Sequence, residues 1–576
     1  MSITATYTRL RRSFGWVDIL VFAATGALFY GLLSVAHEWR GELRPTVDID
    51  LSPLSLPMYT FFSLVRGFAA YAVSLAFTLV YGYVAAYNKR AEKVMVPLLD
   101  ILQSIPVLGF LPGLVLALVA IFPRSNVGLE LAAVLMIFTG QVWNMTFSFY
   151  NSLRSIPNEL REASLVYKLG WWRRFTRLEL PYASMGLIWN SMMSMAGGWF
   201  FLTINEAFVL GDKDFRLPGI GSYMSVAISQ GNVAAMVYAI VAMTTMIILV
   251  DQLFWRPIVA WAQKYKFEDT KTADVTGSFV LDLLRRSKVL EVLERRVTGP
   301  IGKAISSRLV KTGSPASTGD SPRRGGAGTF ILLWALRLCA AGLVLAGAVK
   351  FLALLGSVDL NAWMRIFGEL GLTFARVLAA VVLGTFLMIP LGVAIGMNPK
   401  LSRVLQPVVQ VAASFPAPML FPLVILVLSG AGVGIGFGAV VLMMLGTQWY
   451  ILFNVVAGAM GIPNDLREAA EVSRLTRKER WRRLILPAIL PSLVTGWVTA
   501  TGGAWNASIV AEYVHFGSKV LIAPGLGSAI TTATDRGDFP VLAASVTAMA
   551  GTVVLVNRIF WRRLYRTAED KYSLNK

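Results

Sequence analysis

The chain has 576 residues, 56% of them hydrophobic and only 15% charged, with a mean hydropathy of +0.62. Soluble domains carry about a quarter charged residues, so much of this surface faces something other than water, and a soluble enzyme with ordinary cores is excluded. One cysteine (Cys339) excludes a disulfide framework, two histidines (His37, His515) exclude a multi-histidine metal site, and the net charge of +20 has to be read from where the 53 Lys and Arg lie.

In chain order, apolar runs lie near 16–36, 58–87, 94–121, 128–150, 182–210 and 233–262, then near 330–355, 363–397, 404–429, 434–457, 488–510 and 540–561. A crossing needs about 20 apolar residues, and the longer runs predict tilt or kinks. The first run lacks a small-residue cleavage site and opens a continuing series, so it reads as a span and not as a removable signal. With the N-terminus inside, the inner segments 1–15, 88–93, 151–181, 256–326, 398–403, 460–487 and 558–576 hold 41 of the 53 basic residues. The opposite orientation breaks the positive-inside rule. The basic balance is therefore a topology signal, not a nucleic-acid footprint.

The two sets repeat. Arg66, Asn88, Pro97, Ser104, Pro106 and Pro112 recur 310 residues later as Arg376, Asn398, Pro407, Ser414, Pro416 and Pro422. From Gly140 the offset becomes 306: Trp143 matches Trp449, Trp199 matches Trp505, Glu206 matches Glu512, and Pro218-Gly219 matches Pro524-Gly525. The four extra residues are expected in the outer turn around Pro123–Val127. The expected organisation is an all-α polytopic membrane protein of about 12 transmembrane helices in two parallel six-helix repeats. Residues 1–262 form one unit, 263–329 a cytoplasmic linker and 330–576 the second unit. A parallel repeat predicts a pseudo-two-fold axis along the membrane normal with the pathway between the halves. In the linker, Phe279–Val297 reads as an amphipathic helix and Gly313–Gly328 as a flexible Ser/Pro/Gly-rich stretch. Gly299–Ala304 imitates a phosphate-binding loop but lacks its length, its Ser/Thr and a preceding strand.

The most informative segment follows the fourth span of each half. The first copy runs Ile156-Pro157-Asn158-Glu159-Leu160-Arg161-Glu162-Ala163-Ser164 and ends at Leu180-Pro181. The second runs Ile462-Pro463-Asn464-Asp465-Leu466-Arg467-Glu468-Ala469-Ala470 and ends at Leu486-Pro487. Asn158 and Asn464 are expected N-caps, with Glu159 and Asp465 at the positive end of a helix dipole. Ala163/Ser164 and Ala469/Ala470 are expected to leave a bare face for another protein. Pro181 and Pro487 suit the opening of the next span.

These loops resemble the EAA loop of bacterial ABC importer permeases, with Leu-Pro ending nineteen residues after Glu162 and Glu468. Ser104-Ile105-Pro106 and Ser414-Phe415-Pro416, Trp199/Glu206 and Trp505/Glu512, and the Pro-Gly-x-Gly loops at Pro218 and Pro524 resemble the nitrate/taurine/alkanesulfonate branch. The resemblance covers about 60–262 and 363–562. It departs where the family usually has glycine six residues after the Glu: here stand Lys168 and Arg474, with Gly170 and Thr476 two residues on. Most relatives are single six-span chains that dimerise, whereas this one is fused.

The resemblance implies a type I importer permease fold in a bacterial inner membrane with both termini cytoplasmic, and no catalysis in this chain. It implies coupling helices around Glu162 and Glu468 seated in two cytoplasmic ATPase subunits that hold the ATP and Mg. It also implies a periplasmic binding protein docking on outer loops including Arg216–Ser222 and Ala523–Ser528. A small anion such as nitrate, sulfonate or bicarbonate is the expected solute. Pathway or gate candidates are Gln141, Trp143, Asn144, Trp199, Asn205, Glu206, Trp449, Trp505, Asn506 and Glu512. Glu206 and Glu512 also have a structural reading, pairing with Arg66 and Arg376; those arginines are expected to snorkel near the outer surface. Pro106 and Pro416 are expected to kink the third spans. An ion-coupled 6+6 secondary transporter is the competing reading; the duplicated basic loop and the scarcity of central carboxylates weigh against it.

Overall fold

A computed structural model describes residues 16–41, 47–104, 106–210, 213–265, 279–287, 296, 327–516 and 519–572. The first unit contains α1 (Trp16–Arg40), α2 (Leu56–Tyr87), α3 (Lys89–Ser104), α4 (Leu111–Ile121), α5 (Val127–Arg154), α6 (Asn158–Val166), α7 (Trp171–Arg174) and α8 (Leu180–Asn205). It continues with β1 (Ala207–Leu210), β2 (Lys213–Arg216), α9 (Ile220–Ser229), α10 (Val233–Val250) and α11 (Arg256–Ala262). One linker helix follows, α12 (Phe279–Arg286). The second unit repeats the order: α13 (Ala327–Gly356), α14 (Leu360–Met397), α15 (Pro399–Ser414), α16 (Phe421–Gly430), α17 (Ile435–Met460), α18 (Asn464–Val472), α19 (Arg477–Arg480) and α20 (Leu486–Ala511). Then come β3 (Tyr513–Phe516), β4 (Lys519–Ile522), α21 (Leu526–Asp535), α22 (Phe539–Val556) and α23 (Arg562–Tyr572).

Eight of these helical stretches are long and apolar enough to cross a membrane. In lipid the backbone must satisfy its own hydrogen bonds, so apolar runs of this length fold as helices. The other expected crossings are α8, whose Gly, Ser and Asn dilute its hydropathy, α13, and the two third spans. The third spans are broken, not kinked. α3 stops at Ser104 and Pro106 is extended (φ −62°, ψ 117°) before the short turn Val107–Phe110 and α4. Likewise α15 stops at Ser414 and Pro416 (φ −68°, ψ 107°) precedes Ala417–Met419 and α16. Proline lacks an N–H and forces its predecessor out of the helical region, so Ser-x-Pro ends the helix outright.

The fifth run is shorter than its hydropathy implies. α8 ends at Asn205 and residues 207–210 pair instead with 213–216 in an antiparallel hairpin, Phe208 stacking on Phe215; Tyr513–Phe516 and Lys519–Ile522 do the same in the second unit. The four extra residues of the first unit are spread over α4, the turn after it and the start of α5. The cores of both units are continuous across their boundary, where α15 packs on α8 and α10 while α22 packs on α3. The first helices are placed differently: α1 lies along α2 and touches α5, whereas α13 lies along α22. α12 covers the first part of the expected linker helix, and Ser287 donates to the buried Asp18 of α1 (2.9 Å). Apart from Ser287 and Arg296, the rest of that helix lies outside the described residues, as do Gly299–Ala304 and most of Gly313–Gly328.

Candidate functional site

Each loop between the fourth and fifth spans is a short helix, a tight turn and a second helix leading through one π-helical turn (Phe175–Glu179, Trp481–Ile485) into the next span. Asn158 and Asn464 are the first helical residues and not the caps. The cap is the preceding proline, whose carbonyl accepts from Arg161 N–H and Arg467 N–H (both 3.3 Å). Proline, with no N–H to lose and φ already fixed, is well suited to a helix start. Glu159, Glu162, Asp465 and Glu468 are exposed. Ser164 and Ala470 are not part of a bare outer face: both are buried against the bundle, leaving Ala163 half-buried and Ala469 exposed.

The turn explains the family's glycine. Lys168 and Arg474 have φ of 49° and 48°, the non-glycine residues with positive φ among the described residues. Leu169 N–H closes back on Ser164 O (3.0 Å) and Leu475 N–H on Ala470 O (3.1 Å), the six-to-one bond of a helix C-terminus that favours glycine at this place. The turn shape is thus kept, with the left-handed strain carried by a basic side chain. Thr476 starts α19 with a reciprocal capping box to Glu479, a device that Gly170 lacks. Two arginines not singled out in the sequence fix the loops to the membrane: Arg161 donates to Leu153 O (2.8 Å) and Arg467 to Ala459 O (2.9 Å), capping α5 and α17. Their signal was the shared Leu-Arg-Glu spacing.

At the opposite end of the spans, Glu206 and Glu512 belong to buried clamps. Arg66 Nη1 donates to Glu206 Oε1 (2.7 Å) and Pro218 O (2.8 Å), while its Nε and Nη2 fork onto both oxygens of Glu130 (2.6 and 2.7 Å). Glu206 also accepts from Ser63 (2.6 Å) and Gly221 N–H (2.7 Å). Arg376 likewise donates to Glu512 (2.7 Å) and Pro524 O (2.9 Å), and Glu512 accepts from Thr373 (2.9 Å) and Gly527 N–H (2.9 Å). Arg66 is buried and does not snorkel. A Cβ on Gly219 would stand 2.3 Å from the Glu206 carboxyl carbon, and one on Gly525 2.4 Å from a Glu512 oxygen, so the Pro-Gly-x-Gly loops need glycine for close approach. These carboxylates pin the Pro-Gly-x-Gly loops.

Between the units lies a cavity of about 240 Å³. Trp143 and Asn144 line it from one side and Trp449, Trp505 and Asn506 from the other; no charged side chain lines it among the described residues. Gln141, Trp199, Asn205, Glu206 and Glu512 do not. Gln141 is buried behind, near Ser74 (3.4 Å), and Trp199 packs on Gly67. Asn205 is buried beside Glu206 with neither amide atom hydrogen-bonded among the described residues. Asn506 does more than line the wall. Its Oδ1 accepts the Val107 N–H (2.8 Å), which the break at Pro106 leaves without a helical partner, and so ties the two units together. The buried indole N–H groups of Trp143, Trp505 and Trp561, all cavity-lining residues, have no acceptor among the described residues. A second cavity, about 380 Å³, lies towards the hairpins and is lined by Arg216, Tyr513, His515 and Asp535 among others.

Residues 78–254 and 388–566 each match the family described as binding-protein-dependent transport system inner membrane component. Over 171 residues the chain is 30% identical to the nitrate import permease protein NrtB of Synechococcus elongatus, covering 27% of this chain and 60% of that protein. It is 29% identical over 145 residues to the bicarbonate transport system permease protein CmpB of the same species, covering 25% and 51%. Identity is 27% over 241 residues to the trimethylamine N-oxide transport system permease protein TmoV of Pelagibacter ubique, covering 41% and 29%. The match to the nitrate and bicarbonate relatives spans only about half of their length.

Proposed function

The chain belongs to the family of binding-protein-dependent transport system inner membrane components and carries the family's domain twice; from that premise we propose that it supplies both permease units of an ATP-driven importer for a small anion. Two cytoplasmic ATPase subunits, holding the ATP and Mg, engage the loops around Glu162 and Glu468, and a periplasmic binding protein delivers solute to the outer hairpins. The termini and the levers face the cytoplasm of a bacterial cell. Closure of the ATPase pair rocks the units about their shared core, opening the central cavity to one side and then the other.

The observation that carries this reading is the pair of levers. Two loops 306 residues apart share a proline cap, an inward small residue, a left-handed basic residue and an arginine tether to the span above. Rigid attachment of an exposed helix to a membrane span is what transmits a push from outside the bilayer. The cavity wall carries no charged side chain among the described residues, and an uncharged wall holds an anion weakly enough to release it. Nitrate and bicarbonate, named for two of the relatives, fit that chemistry, whereas trimethylamine N-oxide, named for a third, carries no net charge.

Glu162→Arg combined with Glu468→Arg reverses charge on both exposed helices. The expected outcome is loss of ATPase co-purification while the chain keeps its elution profile and thermal unfolding. Undiminished co-purification and transport would contradict the assignment.

A further inference from the structure

The internal repeat supplies its own control, because the two clamps differ at one position. Glu130, whose carboxylate takes the Nε/Nη2 edge of Arg66, is replaced 306 residues later by Gly436. A Cβ on Gly436 would stand 4.0 Å from Arg376 Nη2, so the same place on the helix faces the same edge of the guanidinium. Among the described residues that edge donates to nothing: the bonds of Arg376 all leave from Nη1, to Glu512 and Pro524 O. Its side chain is 14% exposed, against 1% for Arg66. The nearest further carboxylate on α14, Glu369, is half-buried and acts on Arg365 and Glu512.

We propose that Arg376 and the gap at Gly436 form an oxyanion-binding site, in which a phosphate group takes the place that the Glu130 carboxylate fills in the first unit. A planar fork of N–H donors matches a two-oxygen acceptor, and an arginine edge left unmet beside lipid is costly. α1 lies against α2 and α5 in the first unit, while α13 lies on α22, so among the described residues no such helix covers the corresponding flank of the second unit. Phe437, exposed and next to Gly436, adds apolar surface there, where a phospholipid headgroup reaches Arg376 with its chains along the helices; dissolved phosphate offers the same oxygens. The inference stands independently of the transport reading.

The test uses the purified full chain in neutral detergent, with thermal unfolding and native mass spectrometry read for wild type, Gly436→Glu, Gly436→Gln and Gly436→Ala. Phosphatidylglycerol or inorganic phosphate is titrated in. Wild type and G436A are expected to gain midpoint with the anion. G436E starts higher without anion and loses the response, its apparent affinity falling roughly tenfold or more; G436Q fills the gap but gains nothing at the start. A response to phosphatidylglycerol alone, with a phospholipid retained by wild type and absent from G436E, assigns the site to a headgroup. An equal response to inorganic phosphate assigns it to a dissolved oxyanion. A wild-type chain indifferent to both, or a G436E chain that responds as wild type does, overturns the proposal.

Discussion

Arg66 holds two carboxylates that are fully buried, and Arg376 holds one. Removing one partner of a buried pair strands the other charge, at about 3–5 kcal/mol. Arg66→Met is therefore expected to lower stability by about that amount and by more than Arg376→Met, measured by denaturant unfolding in micelles; equal losses would contradict the clamp as described. Gly219→Ala forces a methyl into the Glu206 carboxyl and is expected to cost about 2–4 kcal/mol, with ligand-free unfolding as the readout. The Arg66–Glu206 and Arg376–Glu512 pairs were legible in the sequence because each recurs at its offset. Glu130 was not, because its counterpart is a glycine: a repeat exposes shared chemistry and hides what only one copy has. Asn506, a pathway candidate in the sequence, lines the cavity, and its amide also serves a backbone N–H freed by a distant proline.

The lever turns place Lys168 and Arg474 in a conformation that disfavours any side chain. Lys168→Gly and Arg474→Gly are each expected to stabilise the folded loop by about 0.5–1 kcal/mol, the left-handed penalty less the entropy glycine brings to the unfolded chain; a lower thermal midpoint would contradict this. The two levers also differ in acid. Thr476 hydrogen bonds hold the Glu479 carboxyl below its usual 4.5. A depressed folded pKa means that the capping box contributes near neutrality and is lost as pH falls through the lowered value. Protection of amides 477–480, taken relative to their intrinsic exchange rates, is expected to fall below pH 4.5 while that of 171–174, whose start has no capping side chain, does not follow. The helical nature of these loops was legible from Pro-Asn-Glu and Pro-Asn-Asp; the cap was misplaced by one residue because asparagine's preference outweighed proline's fixed φ. The broken third spans were misread as kinks because hydropathy is continuous through Pro106 and Pro416.

Twelve apolar runs and their two-fold repetition could be read from composition and spacing, since bilayer thickness constrains the length of each run. A pathway between the halves could be expected from the parallel repeat, but not which of the candidates line it: Trp143 and Trp449 share a register, whereas Trp505 lines the cavity and its repeat partner Trp199 does not. Nor could the unequal placement of α1 and α13, which share no motif. In the proposed cycle, ATPase closure moves the two levers relative to each other. The most direct measurement is the distance between spin labels on Tyr167 and Ser473, exposed residues at the tips of α6 and α18, in a Cys339→Ala background with the partner ATPase bound. The account predicts a shorter separation with ATP and recovery after hydrolysis. A separation indifferent to nucleotide, in a complex that transports, would contradict it.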